Sequence, residues 1–176
     1  MQFRRASESI LDSIAGDVRK FQPGFESVRG YGETYEEEPF MGYYIYPEVF
    51  RDLKKKSRSF QIWFGFLYDT SKKKTYLEVE AFFYPPSRFY RETIRRHMGK
   101  AYDAWFTRLE SRGWRFYDEE DGSVCKPIQA TKVIGRRRTL ASQQKAVLEF
   151  VNSALIDLRE VKTYSFVRRA LRMYHP

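Results

Sequence analysis

Two apolar runs joined by a polar turn dominate the middle of the chain. Phe60–Tyr68 has the composition of one β-strand, Asp69–Lys74 is its turn, and Thr75–Tyr84 is the return strand, stopped by Pro85 and Pro86. Leu77, Val79, Ala81 and Phe83 alternate with Tyr76, Glu78, Glu80, Phe82 and Tyr84, so the two sets face opposite sides of a sheet. The first set is a core face. The second mixes two carboxylates with three aromatic rings, more rings than a solvent face requires. A chain with this hairpin must build a sheet and cover at least one side of it.

The flanking segments say what covers it. Ile10, Leu11, Ile14, Val18 and Phe21 form one stripe, predicting a helix from Ser7 to Lys20 that ends at Pro23-Gly24. Phe25–Arg29 is a candidate strand. Gly30-Tyr-Gly32 and Glu36-Glu37-Glu38-Pro39 are expected in a loop, Phe40–Tyr46 in a strand and Pro47–Lys55 in a short helix. Beyond Pro86, Tyr90, Ile94, Met98, Ala101, Trp105 and Leu109 predict one long helix capped by Ser87, with Gly113 placed for a left-handed exit. Trp114–Tyr117 and Ser123–Ile128 then pair across a turn ending in Asp121-Gly122, with Pro127 marking an edge.

A loop over 129–138 precedes a helix from Leu140 to Val161, capped by Thr139 or Ser142 and striped by Val147, Leu148, Val151, Leu155 and Leu158. A short basic helix covers Tyr164–Met173. Hairpins separated by single helices predict one α+β domain over 1–176, an antiparallel sheet with helices packed on one face.

Composition narrows the function classes. With 176 residues, 42% hydrophobic and 18% aromatic, one core suffices and disorder is excluded for most of the chain. No apolar stretch approaches the roughly 20 residues of a membrane span, and no signal-peptide pattern opens the chain, so no membrane partner is expected. Cys125, the single cysteine, excludes an internal disulfide and fits a reducing cytoplasm. Asn152 is the only asparagine amid abundant lysine, arginine and glutamate, a profile that suggests a thermophilic source.

The net charge of +9 favours polyanionic partners, and it is unevenly placed. Between Tyr31 and Asp52 six acids face one base; from Gly135 to Pro176 nine bases face three acids. Arg136, Arg137 and Arg138 form one compact cluster, Arg168, Arg169 and Arg172 a second, and Arg95, Arg96 and Lys100 share a helix with Tyr102 and Trp105. Arginine forks bind phosphates, and exposed rings stack on unpaired bases. These nine residues are the candidate nucleic-acid contacts of a non-enzymatic binding protein, set against a bland reading as a solvated, ion-paired surface.

Two alternatives stand beside it. Glu78 and Glu80, about 7 Å apart on one strand face, could join Asp69 around Mg²⁺ or Mn²⁺ in a nuclease, or simply pair with bases on a neighbouring strand. Tyr43, Tyr44 and Tyr46 could instead form a protein-interaction or oligomerisation surface. No zinc site is expected from His97 and His175, the two histidines. His97 is expected to be partly buried, with a general-base role or a Cys125 pairing as the sharper options; Cys125 itself is most simply a small buried apolar residue. No glycine-rich phosphate loop is present, and no cofactor is implied.

Tyr76-Leu-Glu-Val-Glu-Ala-Phe-Phe-Tyr-Pro, the helix to Leu109, Trp114-Arg-Phe-Tyr-Asp and the last long helix together resemble a small prokaryotic domain of unknown function found beside restriction-endonuclease-like modules. The resemblance spans roughly residues 60–160, lies in element order and the Leu-Glu-Val-Glu pattern, and departs in the longer aromatic hairpin and the Arg136–Arg138 loop. It implies a nucleic-acid or defence-system partner and assigns no catalytic residue.

Overall fold

Four strands in succession make an antiparallel meander: β1 (Phe25–Glu33), β2 (Pro39–Pro47), β3 (Phe60–Asp69) and β4 (Lys74–Phe83). The computed structural model describes residues 9–17, 25–33, 39–47, 60–83, 91–117, 120 and 122–174. The expected helix over Pro47–Lys55 and the Ser87 cap lie outside them. The expected loop at Gly30–Gly32 is strand instead, because β1 runs unbroken to Glu33. Its ladder to β2 offsets the roughly 0.5–1 kcal/mol that each glycine loses in a strand.

The single helix expected from Tyr90 to Leu109 is two, α2 (Arg91–Met98) and α3 (Lys100–Glu110). Gly99 separates them with a φ of 51°, a value that costs a glycine little. The break changes one position of the apolar stripe and leaves Trp105 and Leu109 where the spacing puts them. Ile94, Met98, Tyr102, Trp105 and Leu109 are buried, and Tyr102 takes the place expected of Ala101. Gly113 has the expected left-handed φ of 84°.

The chain then adds β5 (Arg115–Phe116), β6 (Val124–Gln129), a 3-10 turn at Ala130–Lys132, α4 (Leu140–Glu160) and α5 (Thr163–Tyr174). Thr139 caps α4, accepting from the Ser142 backbone N–H at 3.2 Å. The sheet order is β1-β2-β3-β4-β6-β5, all antiparallel. β6 is therefore interior rather than an edge. The two-residue β5 reaches only Cys125 and Val124, so Pro127 withholds no N–H from a neighbour there.

One sheet face carries the core. Phe60, Ile62, Phe64 and Phe66 of β3 stand opposite Phe83, Ala81, Val79 and Leu77 of β4. They join the buried residues of helix α1 (residues 9–17), α2, α3, α4 and α5 in one cluster. The fold is α+β, an open antiparallel sheet with helices packed against it. On this face Asp157 of α4 is a polar staple. Its carboxylate accepts from Trp114 Nε1 (3.1 Å), Arg112 (3.1 Å) and Lys126 Nζ (2.5 Å), tying α4 to the α3–β5 connection and to β6. Trp105 Nε1 donates to Thr163 Oγ1 at 3.0 Å, and its ring stacks on Phe166 at 4.4 Å, which docks α5 on α3.

Candidate functional site

The second sheet face is built by the residues that alternate with the core set. Phe40, Gly42 and Tyr44 of β2 lie beside Leu67, Gly65 and Trp63 of β3, in that register. Gly65 and Trp63 face Glu78 and Glu80 of β4; beyond these come Pro127 and Cys125 of β6, then Arg115 of β5. This face is not an open platform: Trp63 is 3% exposed and Glu78 1%.

Glycines make room for the indole. Gly30, Gly42 and Gly65 form a row across three strands. A Cβ at Gly42 would lie 2.6 Å from Trp63 Cε2, and one at Gly65 2.6 Å from Trp63 Cζ2. Both distances are shorter than real contacts, so only glycine lets the ring lie down on the strands. Phe40 meets the indole edge-on at 6.1 Å, and Tyr44 meets Phe82 the same way at 6.3 Å. Trp63 Nε1 is buried and makes no hydrogen bond among the described residues. A cavity of about 150 Å³ is lined by Phe40, Tyr44, Trp63, Leu67, Glu80 and Tyr117.

The other half of this face is charged. Arg115 lies 3.7 Å from the Glu78 carboxylate. Burial, then the Glu78 charge, pushes the Cys125 thiol up to about 12, so it stays protonated at neutral pH. Cys125 is thus the buried apolar residue expected from the sequence. His97 is exposed on α2, not partly buried, because it lies off the Ile94–Met98 stripe.

Of the acids weighed for metal binding, Glu78 and Glu80 share this face. Asp69 stands four residues along β3 from Gly65, the partner of Glu78, about 13 Å away. Asp69 serves its own turn. It accepts from Lys72 Nζ (2.7 Å), Ser71 Oγ (2.7 Å) and the Lys72 backbone N–H (2.8 Å), which hold its carboxyl far below the usual range. Among the described residues no group of three or more His, Cys, Asp or Glu could hold a metal ion.

The tyrosine surface does not form as expected. Tyr43 and Tyr44 are successive on β2 and face opposite sides. Tyr43 stacks on core Phe64 at 5.8 Å and donates to Asp12 of α1 at 2.6 Å. The Tyr46 side chain lies outside the described residues. Tyr102 and Trp105, expected beside the basic groups of their helix, are core residues. Tyr117, 44% exposed, and Leu140, 50%, are the large exposed apolar side chains among the described residues.

The nine basic candidates separate into groups. Arg95 pairs with Asp103 at 3.2 Å and Arg96 with Glu92 at 3.0 Å, with all four side chains exposed. Lys100 is exposed at the start of α3. Arg168, Arg169 and Arg172 lie on the exposed face of α5, whose opposite face buries Phe166, Val167, Ala170 and Leu171. α5 touches α2, so these arginines and Arg95–Arg96 belong to one helical layer. Arg136, Arg137 and Arg138 are exposed before α4, whose 21 residues span about 30 Å to the turn into α5. None of these six arginines of the tail makes an ion pair among the described residues.

Sequence reasoning singles out Glu78, Glu80 and Tyr44, but not Phe40, Trp63, Leu67, Arg115 or Tyr117 as members of one site. The spacing Trp63-Phe-Gly65 together with Gly42 is the available signal, and it needs the β2–β3 register to be read. No protein-family model, curated protein or solved structure matches this chain. No helix among the described residues is long and apolar enough to cross a membrane.

Proposed function

We propose that this chain is a non-enzymatic nucleic-acid-binding protein that grips the phosphate backbone with arginines of its helical layer. The observation that carries the reading is that Arg136, Arg137, Arg138, Arg168, Arg169 and Arg172 are exposed and held by no carboxylate among the described residues. Like charges grouped within each of the two arginine clusters of a +9 chain repel one another, and a polyanion relieves that repulsion. The exposed pairs at Arg95 and Arg96 are worth little individually and can be exchanged for phosphates.

The burial of Tyr102, Trp105 and Trp63 takes base stacking out of the reading. Recognition is therefore of phosphates, with little sequence preference. The test is fluorescence anisotropy with duplex and single-stranded DNA and RNA across a salt series. Binding weakens steeply with salt, and replacing Arg168, Arg169 and Arg172 together by alanine lowers the log–log slope by about one for each phosphate no longer neutralised. No binding at low salt, or a slope unchanged in the triple variant, would overturn the reading.

A further inference from the structure

Left-handed backbone is the province of glycine, because the Cβ of an L-residue there crowds the following carbonyl oxygen. Gly99, Gly113 and Gly122 follow that rule. The residues that break it, among the described ones, are both lysines: Lys73 with a φ of 51° and Lys162 with a φ of 60°. Lys73 ends the turn Thr70–Lys73 between β3 and β4. Lys162 follows Val161, the last cap of α4, at the exit position where helices take glycine or asparagine.

The fold gains nothing from either side chain in return. Both residues are exposed, and neither ammonium group makes an ion pair or hydrogen bond among the described residues. The hairpin turn is secured by its neighbours instead. Asp69 accepts from Lys72 Nζ at 2.7 Å, from the Lys72 backbone N–H and from Ser71 Oγ. The α4 exit is closed by backbone bonds that glycine would make as well. Lys162 N–H donates to the Arg159 carbonyl at 3.0 Å, and the Lys162 carbonyl accepts from Phe166 N–H at 3.1 Å. A residue kept against its backbone preference points to a use outside the fold.

Each lysine stands beside one arginine cluster. β6 ends next to the β3–β4 turn, with Gln129 opposite Tyr76, and β4 touches the 3-10 turn that leads on to Arg136, Arg137 and Arg138. Lys162 directly precedes α5, whose exposed positions are Ser165, Arg168, Arg169 and Arg172 and which carries no acid. Resting on the phosphate-binding reading above, we propose that Lys73 and Lys162 are further phosphate contacts, one for each arginine cluster. A lysine supplies what an arginine fork does not, a compact charge that meets a phosphate from any direction.

The experiment makes Lys73→Gly and Lys162→Gly singly in the intact chain. Each variant is melted, then titrated by fluorescence anisotropy with labelled duplex DNA and RNA across a salt series. Glycine relaxes the backbone, so the melting temperature holds or rises by up to about 4 °C. Binding nevertheless weakens, and the log–log salt slope becomes shallower by about one. Lys145→Ala is the control: it removes the same charge from an exposed position of α4, where Lys145 faces Glu149 at 3.9 Å, and leaves the slope unchanged. An unchanged slope in either glycine variant, an equal loss of slope in Lys145→Ala, or a lower melting temperature in either glycine variant would overturn the proposal and leave the arginine reading standing. No binding by the unaltered protein at low salt would overturn both.

Discussion

On the helix-covered side of the sheet, Trp105 and Trp114 each donate their indole N–H, to Thr163 and to Asp157. On the other side, Trp63 is as deeply buried and its N–H has no acceptor among the described residues. An unsatisfied buried donor costs about 1–3 kcal/mol. The core thus uses its tryptophans at both ends, as apolar mass and as hydrogen-bond donors that lock α4 and α5 in place. The far face accepts that penalty, and it gives up side chains at Gly42 and Gly65 as well, to hold one ring flat. Stability accounts for the first pattern. The second spends side-chain volume and a hydrogen bond on the placement of a single ring.

Three tests would break or sharpen this contrast. Asp157→Ala has the largest expected effect, about 3 kcal/mol or more, because it strands Lys126 and the Trp114 N–H together in a buried setting. Denaturant unfolding measures it, and a loss under about 1 kcal/mol would mean that water takes over the staple and the two faces are alike.

Gly65→Ala comes next, at about 1–3 kcal/mol of overpacking. Its Cβ would stand 2.2 Å from the Met41 carbonyl oxygen and 2.5 Å from Gly42 Cα, and backbone cannot swing away. Gly16→Ala in α1, with nothing within 4 Å, is the control and should stabilise by up to about 1 kcal/mol. Comparable melting temperatures for the two variants would remove the seat for Trp63.

The smallest effect is a difference. Trp105→Phe should cost about 1 kcal/mol more than Trp63→Phe, since both shed similar volume but only the first orphans a partner, the fully buried Thr163 hydroxyl. Equal costs would show that Trp63 has an acceptor after all.

Much of the fold is legible in the sequence because it rests on local periodicity. The β4 alternation places Leu77 and Glu78 on opposite faces, and the Val147–Leu158 stripe marks the buried side of α4. Gly99 is harder to read, because an apolar stripe continues on both sides of it and only the backbone angle reveals two helices. The far-face site is legible only in fragments. Glu78 and Glu80 announce themselves by alternation, whereas Arg115 and Tyr117 reach them through a two-residue strand that carries no periodic signal. The row Gly30–Gly42–Gly65 depends on two registers that composition does not encode. Charge is the reverse case. The arginine clusters are plain in the sequence, but which rings stand near them is decided by packing, and packing buries Tyr102 and Trp105.

The insertion of β6 between β4 and β5 has a consequence for synthesis. Glu78 and Glu80 emerge from the ribosome well before Arg115 and Cys125, their eventual neighbours. Until then β4 ends the nascent sheet, with its outer hydrogen-bonding groups unclaimed and two acids beside it. Negative charge on a bare strand deters pairing with another chain. The two carboxylates that later lie beside β6 would, in the interval, guard the growing polypeptide against aggregation.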